Sequence, residues 1–275
     1  MIRLIGIDVD GTLLDSDGRM PAANRDAIHA AVAAGIHVAL VTGRSYPFAR
    51  PIADPLPDTV TLIVSSGAVE RSKDGTTLAR RLLDRHVAKE VLETTRPYRD
   101  AAALIFDRDE DRQIVFESMD WAHPNRRNYW ARNQSRIARS APLEEALVED
   151  PIQVMFNGEV QVMSELATSL RRDGCSCAVS LTEYQDRNFS LIDITSPLAT
   201  KGRALAWRAD QLGLTRDEVM AVGDNFNDLE MLEFAGTPVV MANAVEGLKQ
   251  RGWYVTDHQN DAGLARAIYL FALST

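Results

Sequence analysis

Cysteine is nearly missing from this chain: Cys175 and Cys177 are the only two in 275 residues. So few thiols exclude a disulfide-stapled scaffold. Their one-residue spacing fits neither a zinc knuckle nor a thioredoxin-like motif, so both read as ordinary thiols on or near a strand. Positive charge is in deficit too. With 30 Lys and Arg against 39 Asp and Glu, a net charge of -9 and a pI near 5.1, the chain lacks the electrostatic footprint of a nucleic-acid binder, and an anionic ligand needs local basic groups. The most apolar stretches are broken by His29, Gly35 and His37, so none is long enough to span a bilayer. The first strand begins without a charged leader and cleavage site, which makes a cytoplasmic protein with no membrane partner the expectation. Repeats and low-complexity tracts are also lacking.

What is present is apolar bulk. A hydrophobic content of 45% over 275 residues is enough to bury a sizeable core and points to two domains rather than one. The chain opens on Leu4-Ile5-Gly6-Ile7-Asp8-Val9-Asp10-Gly11-Thr12. This run is short, partly β-branched and stopped by Asp-Gly, the pattern of a buried strand that delivers two carboxylates into the loop after it. Open α/β sheets keep their active sites at such strand ends. Two carboxylates held close repel each other unless a cation or a shared proton compensates, and oxygen-only ligands favour a hard ion such as Mg²⁺. Taken alone, Asp-Gly is more often a plain turn.

Farther along, residues 21–34 read as a helix closed by Gly35, residues 36–41 as a second buried strand and residues 61–64 as a third, the strand–helix–strand signature of a parallel sheet. The texture changes near Leu83. From there the reading is a helix at 87–95, strands at 102–106 and 113–117, a basic aromatic segment from His123 to Trp130, a strand at 152–156, a helix at 159–172 and a strand pair at 178–184 and 188–194. Adjacent strand pairs with segregated helices suggest an inserted α+β module with an antiparallel sheet. From Thr200 the α/β rhythm returns, with helices at 204–212, 228–234 and 245–249, strands at 219–222, 238–241 and 253–255, and a last helix after Asp261. The fold class is therefore α/β, a Rossmann-like parallel sheet with helices on both faces. The core spans 1–82 and 190–275, and the insertion spans 83–189.

Three further loops carry chemistry: Thr42-Gly43-Arg44, Ala199-Thr200-Lys201-Gly202 and Gly223-Asp224-Asn225-Phe226-Asn227-Asp228. With Asp8 and Asp10 this ordered set resembles the haloacid dehalogenase superfamily, and within it the Cof-type phosphatases whose α/β cap is inserted between the second and third motifs. Met241-Ala242-Asn243-Ala244 and Asn260-Asp261-Ala262-Gly263-Leu264-Ala265 extend the likeness over nearly the whole chain. The resemblance implies a Mg²⁺-dependent phosphatase. Asp8 is then the nucleophile, Asp10 the general acid and base, and Asp8, the Asp10 main-chain carbonyl and Asp224 the metal ligands. Thr42, Gly43, Arg44 and Asn227 would bind phosphate or substrate, Lys201 would supply a point charge, and Asp228 would orient it. Two departures stand out. Ser66-Gly67-Ala68 replaces the usual Asn-Gly-Ala, and Met241-Ala242-Asn243-Ala244 the usual Met-Gly-Asn-Ala.

The expected partner is a small phosphorylated metabolite such as a sugar phosphate, pyridoxal phosphate or flavin mononucleotide, with no nucleic acid. A phosphomutase and a non-catalytic phosphometabolite-binding regulator are the alternatives, the latter disfavoured because a binder has no need of a nucleophile. In the insertion, His123, Arg126, Arg127, Tyr129 and Trp130 either hold an anionic or ring-shaped leaving group or form a surface helix with its aromatic face inward. Glu183 and Arg187 are open in the same way. Asp15 and Asp17 read as loop and capping residues, and residues 107–111 as a hairpin turn.

Overall fold

The N-terminal apolar run forms β1 (Leu4–Asp8), buried along its whole length. Pro21 then introduces α1 (Ala22–Ala33), and the chain returns as β2 (His37–Val41), parallel to β1. After α2 (Tyr46–Ala53), β3 (Thr61–Val64) pairs parallel to β2. A hairpin the sequence reading lacks follows and continues the sheet: β4 (Val69–Ser72) runs antiparallel to β3, and β5 (Thr77–Arg80) antiparallel to β4. Residues 1–108, 111–172 and 176–274 are described in this computed structural model. Cys175 and part of the 107–111 segment therefore lie outside the described residues.

The chain next builds a second unit. It comprises α3 (Arg85–Thr94), β6 (Ala102–Ile105), β7 (Ile114–Phe116), α4 (Pro124–Asn133), β8 (Ile137–Arg139), β9 (Gln153–Gly158), α5 (Val160–Arg172), β10 (Ala178–Tyr184) and β11 (Phe189–Thr195). These strands form one sheet in the order β10-β11-β9-β6-β7-β8. It is antiparallel except for β7 and β8, which run parallel and so correct the expectation of a purely antiparallel module. Helices α3 and α5 close one face over Leu104, Val154, Phe156, Ile192 and Ile194. Cys177 packs at the edge of this core.

The return to the first unit runs through α6 (Lys201–Gln211), β12 (Val219–Gly223), α7 (Leu229–Phe234), β13 (Thr237–Val240), α8 (Glu246–Lys249), β14 (Tyr254–Val255) and α9 (Gly263–Phe271). The completed sheet has the order β14-β13-β12-β1-β2-β3-β4-β5, with β1 central and parallel to β12 and β2. Side chains alternate along its strands. Leu4, Ala39, Val41 and Ile63 pack with Leu205, Met231 and Leu232 of α6 and α7, while α1 and α9 pack against each other. This is a parallel-sheet α/β core with flanking helices.

The two units are Met1–Arg80 with Leu198–Thr275, and Arg81–Pro197. The sequence reading ends the insertion at residue 189 and gives the next strand to the core. The structure keeps that strand in the second unit, because β11 is hydrogen-bonded on one side to β10 and on the other to β9. Among the described residues no helix is long and apolar enough to cross a membrane.

Candidate active site

β1 stops at Asp8, and the chain makes one wide turn over Val9–Leu13, closed by the Leu14 N–H donating to the Val9 carbonyl at 3.0 Å. Gly11 sits in this turn with φ +89°, and a Cβ there would lie 2.3 Å from Asp224 Oδ2. Both the backbone conformation and the close approach of Asp224 demand glycine. Asn243 fastens the turn by donating from Nδ2 to the Gly11 carbonyl at 2.8 Å.

Lys201 opens α6, one residue after Thr200, whose hydroxyl caps the helix by accepting from the Arg203 N–H at 3.1 Å. The side chain is buried, and Nζ donates to Asp8 Oδ1 at 2.5 Å and to Asp228 Oδ1 at 2.6 Å. Asp228 is fully engaged, since its other oxygen accepts from the N–H groups of Asp224 at 3.0 Å and Asn225 at 3.1 Å. That fold-back of the loop onto β12 needs Gly223, where a Cβ would meet the Asp228 Cβ at 2.6 Å.

Asp8, Asp224 and Asp228 can each offer a ligand atom within 4.8 Å of the others. With Asp228 committed to Lys201 and the loop amides, Asp8 and Asp224 are the two left to hold an ion. One ammonium faces three carboxylates, so the cluster carries excess negative charge. Burial, with Asp228 and Asp224 nearby and only partly offset by Lys201, raises the Asp8 pKa well above the usual carboxylate range. Burial and Asp228 likewise push Asp224 up to about 6. Burial alone would lower the Lys201 pKa, but Asp8 and Asp228 outweigh it and hold the ammonium charged. A hard divalent cation between Asp8 and Asp224 matches both the oxygen donors and the missing charge.

The other sequence-derived residues fall into two groups. Arg44 grips Asp10 with both arms of its guanidinium, Nε to Oδ2 at 2.9 Å and Nη2 to Oδ1 at 2.6 Å, and this pairing raises the arginine pKa further. Thr42 is buried at the end of β2, where its hydroxyl accepts from the Arg44 N–H at 3.1 Å; Gly43 beside it is exposed. Asn227 is exposed on the loop before α7, apart from the lysine–carboxylate cluster. Asp15 accepts from the N–H groups of Asp17 at 3.0 Å and Arg19 at 2.8 Å, a local turn. Thr12 and Asn243 were not singled out from sequence. Thr12 is fully buried with its hydroxyl 3.5 Å from Asp224 Oδ1. Its place in Asp-Gly-Thr and that of Asn243 in Met-Ala-Asn-Ala were the available signals.

The chain is similar to several known proteins. A 5-amino-6-(5-phospho-D-ribitylamino)uracil phosphatase of Bacillus subtilis is 28% identical over 282 residues, covering 96% of this chain and 96% of that protein. A phosphoglycolate phosphatase of Methanothermobacter thermautotrophicus is 26% identical, covering 98% and 99%. Among solved structures, a Thermotoga maritima protein superposes with a TM-score of 0.82 at 22% identity, over 100% of this chain and 98% of that one. A haloacid dehalogenase-like hydrolase from Bacteroides thetaiotaomicron gives 0.79 at 23%, over 98% and 99%; these two likenesses speak for the fold. A family model described as haloacid dehalogenase-like hydrolase matches residues 5–268, and the chain belongs to that family.

Proposed function

We propose that this protein is a Mg²⁺-dependent phosphoric monoester hydrolase that cleaves small phosphomonoesters through an aspartyl phosphate on Asp8. The observation that carries the reading is the buried Lys201 ammonium shared between Asp8 and Asp228, with Asp224 beside them. A carboxylate held on one oxygen by a lysine keeps its other oxygen for phosphorus. Relatives named as phosphatases for a ribitylaminouracil phosphate and for phosphoglycolate support the reaction class and small organic phosphates as substrates.

In the first step the free Asp8 oxygen forms a bond to phosphorus while the bond from phosphorus to the ester oxygen breaks. Asp10 gives its proton to the departing alkoxide. In the second step Asp10 takes a proton from water, the water oxygen bonds to phosphorus, and the Asp8 carboxylate leaves as it arrived. Asp8, Asp224 and the Asp10 main-chain carbonyl would hold Mg²⁺, which would supply charge neutralisation between the anionic nucleophile and the anionic phosphoryl group. Lys201 favours the carboxylate form of Asp8 against burial and its acidic neighbours and adds positive charge where the phosphoryl oxygens arrive, and Asp228 fixes its direction. The Thr42 hydroxyl and the Gly43 amide are the neutral donors for those oxygens, and Asn227 a contact for phosphate or substrate.

Arg44 grips both oxygens of Asp10, whereas the first step uses Asp10 to give a proton to the leaving group. The two side chains are 37% and 57% exposed, and an ion pair so open to water is worth ~0–1 kcal/mol. Substrate phosphate drawing Arg44 away therefore costs little and leaves the Asp10 oxygens open to the leaving group. The second unit contributes no residue to the lysine–carboxylate cluster and selects the leaving group.

Phosphate release from a panel of small phosphomonoesters, with Mg²⁺ and with chelator, tests the reading. Release that depends on Mg²⁺ is expected, and full activity in chelator would overturn the metal assignment.

A further inference from the structure

Asp10 has to aim its carboxylate at the oxygen of a departing alcohol, yet its side chain is 57% exposed. The arginine that grips it is the one that arriving phosphate draws off. What then aims Asp10 is the backbone beneath it. That backbone has a weak point, because Asp10 sits inside the turn at φ -85° and ψ 114°, outside the helical region, and Gly11 follows it at φ +89°. Glycine beside an exposed acid is a pivot about which the acid can swing.

Two asparagines oppose that swing. Upstream, β1 holds Asp8 in register with Val41 of β2, so the sheet fixes where the turn begins. Downstream, Asn243 donates from Nδ2 to the Gly11 carbonyl at 2.8 Å and accepts at Oδ1 from the Gln259 N–H at 2.9 Å. Asn24 repeats the arrangement two residues farther on: Nδ2 donates to the Leu13 carbonyl at 3.0 Å, and Oδ1 accepts from the Ala265 N–H at 3.0 Å. Each amide thus gives its donor to the turn and its acceptor to the C-terminal segment 259–265. That segment is a firm anchor. The Asp261 and Gly263 N–H groups both donate to the His258 carbonyl, at 2.9 and 3.2 Å, and the buried Thr256 hydroxyl donates to the Gly263 carbonyl at 2.7 Å.

Asn24 is the sharper case. It is fully buried in the first turn of α1, where an apolar residue would pack and an amide is costly unless both its ends are paired. Both of its bonds leave the helix, one for the catalytic turn and one for the start of α9. We propose that Asn24 and Asn243 are positioning residues for Asp10, holding the turn at Leu13 and Gly11 so that the carboxylate stays within reach of the ester oxygen as the phosphorus–oxygen bond breaks. The bond pair goes to the alcohol oxygen, which takes the Asp10 proton. Misplacing a reacting group by about 1 Å can cost on the order of 10²-fold in rate. This role rests on the phosphatase reading, in which Asp10 is the general acid.

Initial rates with Mg²⁺ on two esters separate aim from folding. p-Nitrophenyl phosphate releases a phenolate that leaves without a proton, whereas glycerol 2-phosphate releases an alkoxide that needs one. The ratio of their kcat/KM values cancels the amount of folded enzyme, and kcat/KM ends at departure of the alcohol, before the aspartyl phosphate is hydrolysed. Asn24→Ala and Asn243→Ala are each expected to lower the ratio of glycerol 2-phosphate to p-nitrophenyl phosphate about tenfold, a part of the ~10²–10⁴ that a general acid contributes. Asp10→Asn should lower it further. Asn260→Ala is the comparison, since Asn260 is exposed and ties the same segment to the Ser16 N–H at 2.9 Å, past the end of the turn; its ratio should match the wild type. If Asn24→Ala does not fold, the half-buried Asn243 decides. An unchanged ratio in the asparagine variants, or an equal fall in Asn260→Ala, overturns the positioning role, and phosphate release by the wild type then leaves the phosphatase reading standing. Absence of release from either ester by the wild type overturns that reading, and a wild-type ratio in Asp10→Asn overturns its general acid; the positioning role falls with either.

Discussion

Asp228→Asn tests whether the lysine–carboxylate cluster is built as described. Asp228 is fully buried, with one oxygen taking the Lys201 ammonium at 2.6 Å and the other two loop N–H groups at 3.0 and 3.1 Å. Asparagine has one acceptor for these two tasks. With its carbonyl toward the loop amides its NH₂ faces Lys201, and in the flipped orientation the NH₂ faces the two N–H donors. Losing one charge-assisted bond costs about 1.5–3 kcal/mol, and a buried donor facing a donor adds about 1–3 kcal/mol. Lys201 retains Asp8, and neutralising Asp228 relieves its repulsion of Asp8 and Asp224, so the net loss is about 3 kcal/mol, the low end for breaking a buried pair. Urea unfolding at pH 7.5 in chelator, followed by the fluorescence of Trp207 and Trp253 in the first unit, measures the change. A loss under about 1 kcal/mol would refute the claim that Asp228 fixes Lys201. On the proposed mechanism, in which Lys201 acts on the phosphoryl group in transit, the same variant should lower kcat more than it raises KM.

Three further outcomes follow from the same physics. Asp8 and Asp224 have raised pKa values when folded, so metal-free stability is full below the unfolded carboxylate pKa and is lost as pH rises through about 6. Chelated protein should therefore melt lower at pH 7.5 than at pH 5, and Mg²⁺ should raise the melting temperature at pH 7.5 far more than at pH 5; a flat profile would contradict the cluster. In the second unit, burial pushes Asp193 up to about 6 despite the Gln153 amide donating to it at 2.7 Å. Asp193→Asn keeps that bond, and urea unfolding should show it more stable by ~2–3 kcal/mol at pH 7.5, the gain shrinking toward pH 4. Ser66 is held at φ 55°, so Ser66→Asn should stabilise by ~0.3–1 kcal/mol, and a loss would mean the serine hydroxyl has a task there.

Legibility from sequence tracked how local the cause was. The strand at 61–64 and the helix after Pro21 were readable because apolar runs, proline and glycine punctuate them directly. The β4–β5 hairpin was not, since Val69-Glu70-Arg71-Ser72 carries charges whose burial depends on neighbours distant in sequence, as with Glu70 and Arg208. β8 is three residues long and pairs with β7 alone, too little to leave a pattern. The end of the insertion was misplaced because β11 alternates like any half-buried strand, and its sheet is decided by partners. At the site, the motif order announced Asp8, Lys201 and Asp224. The grip of Arg44 on Asp10 and the Asn243 tether on the Gly11 carbonyl join partners 34 and 232 residues apart, beyond any spacing rule.

The central claim is that Asp8 is the nucleophile that accepts the phosphoryl group. The most direct measurement is mass spectrometry of acid-quenched enzyme during turnover of p-nitrophenyl phosphate with Mg²⁺, comparing the wild type with Asp8→Asn. The account predicts one added phosphoryl group on the wild-type peptide that contains Asp8, chased away as phosphate is released, and neither adduct nor phosphate release in Asp8→Asn, which folds as the wild type does. Phosphate release at the wild-type rate by Asp8→Asn would contradict it.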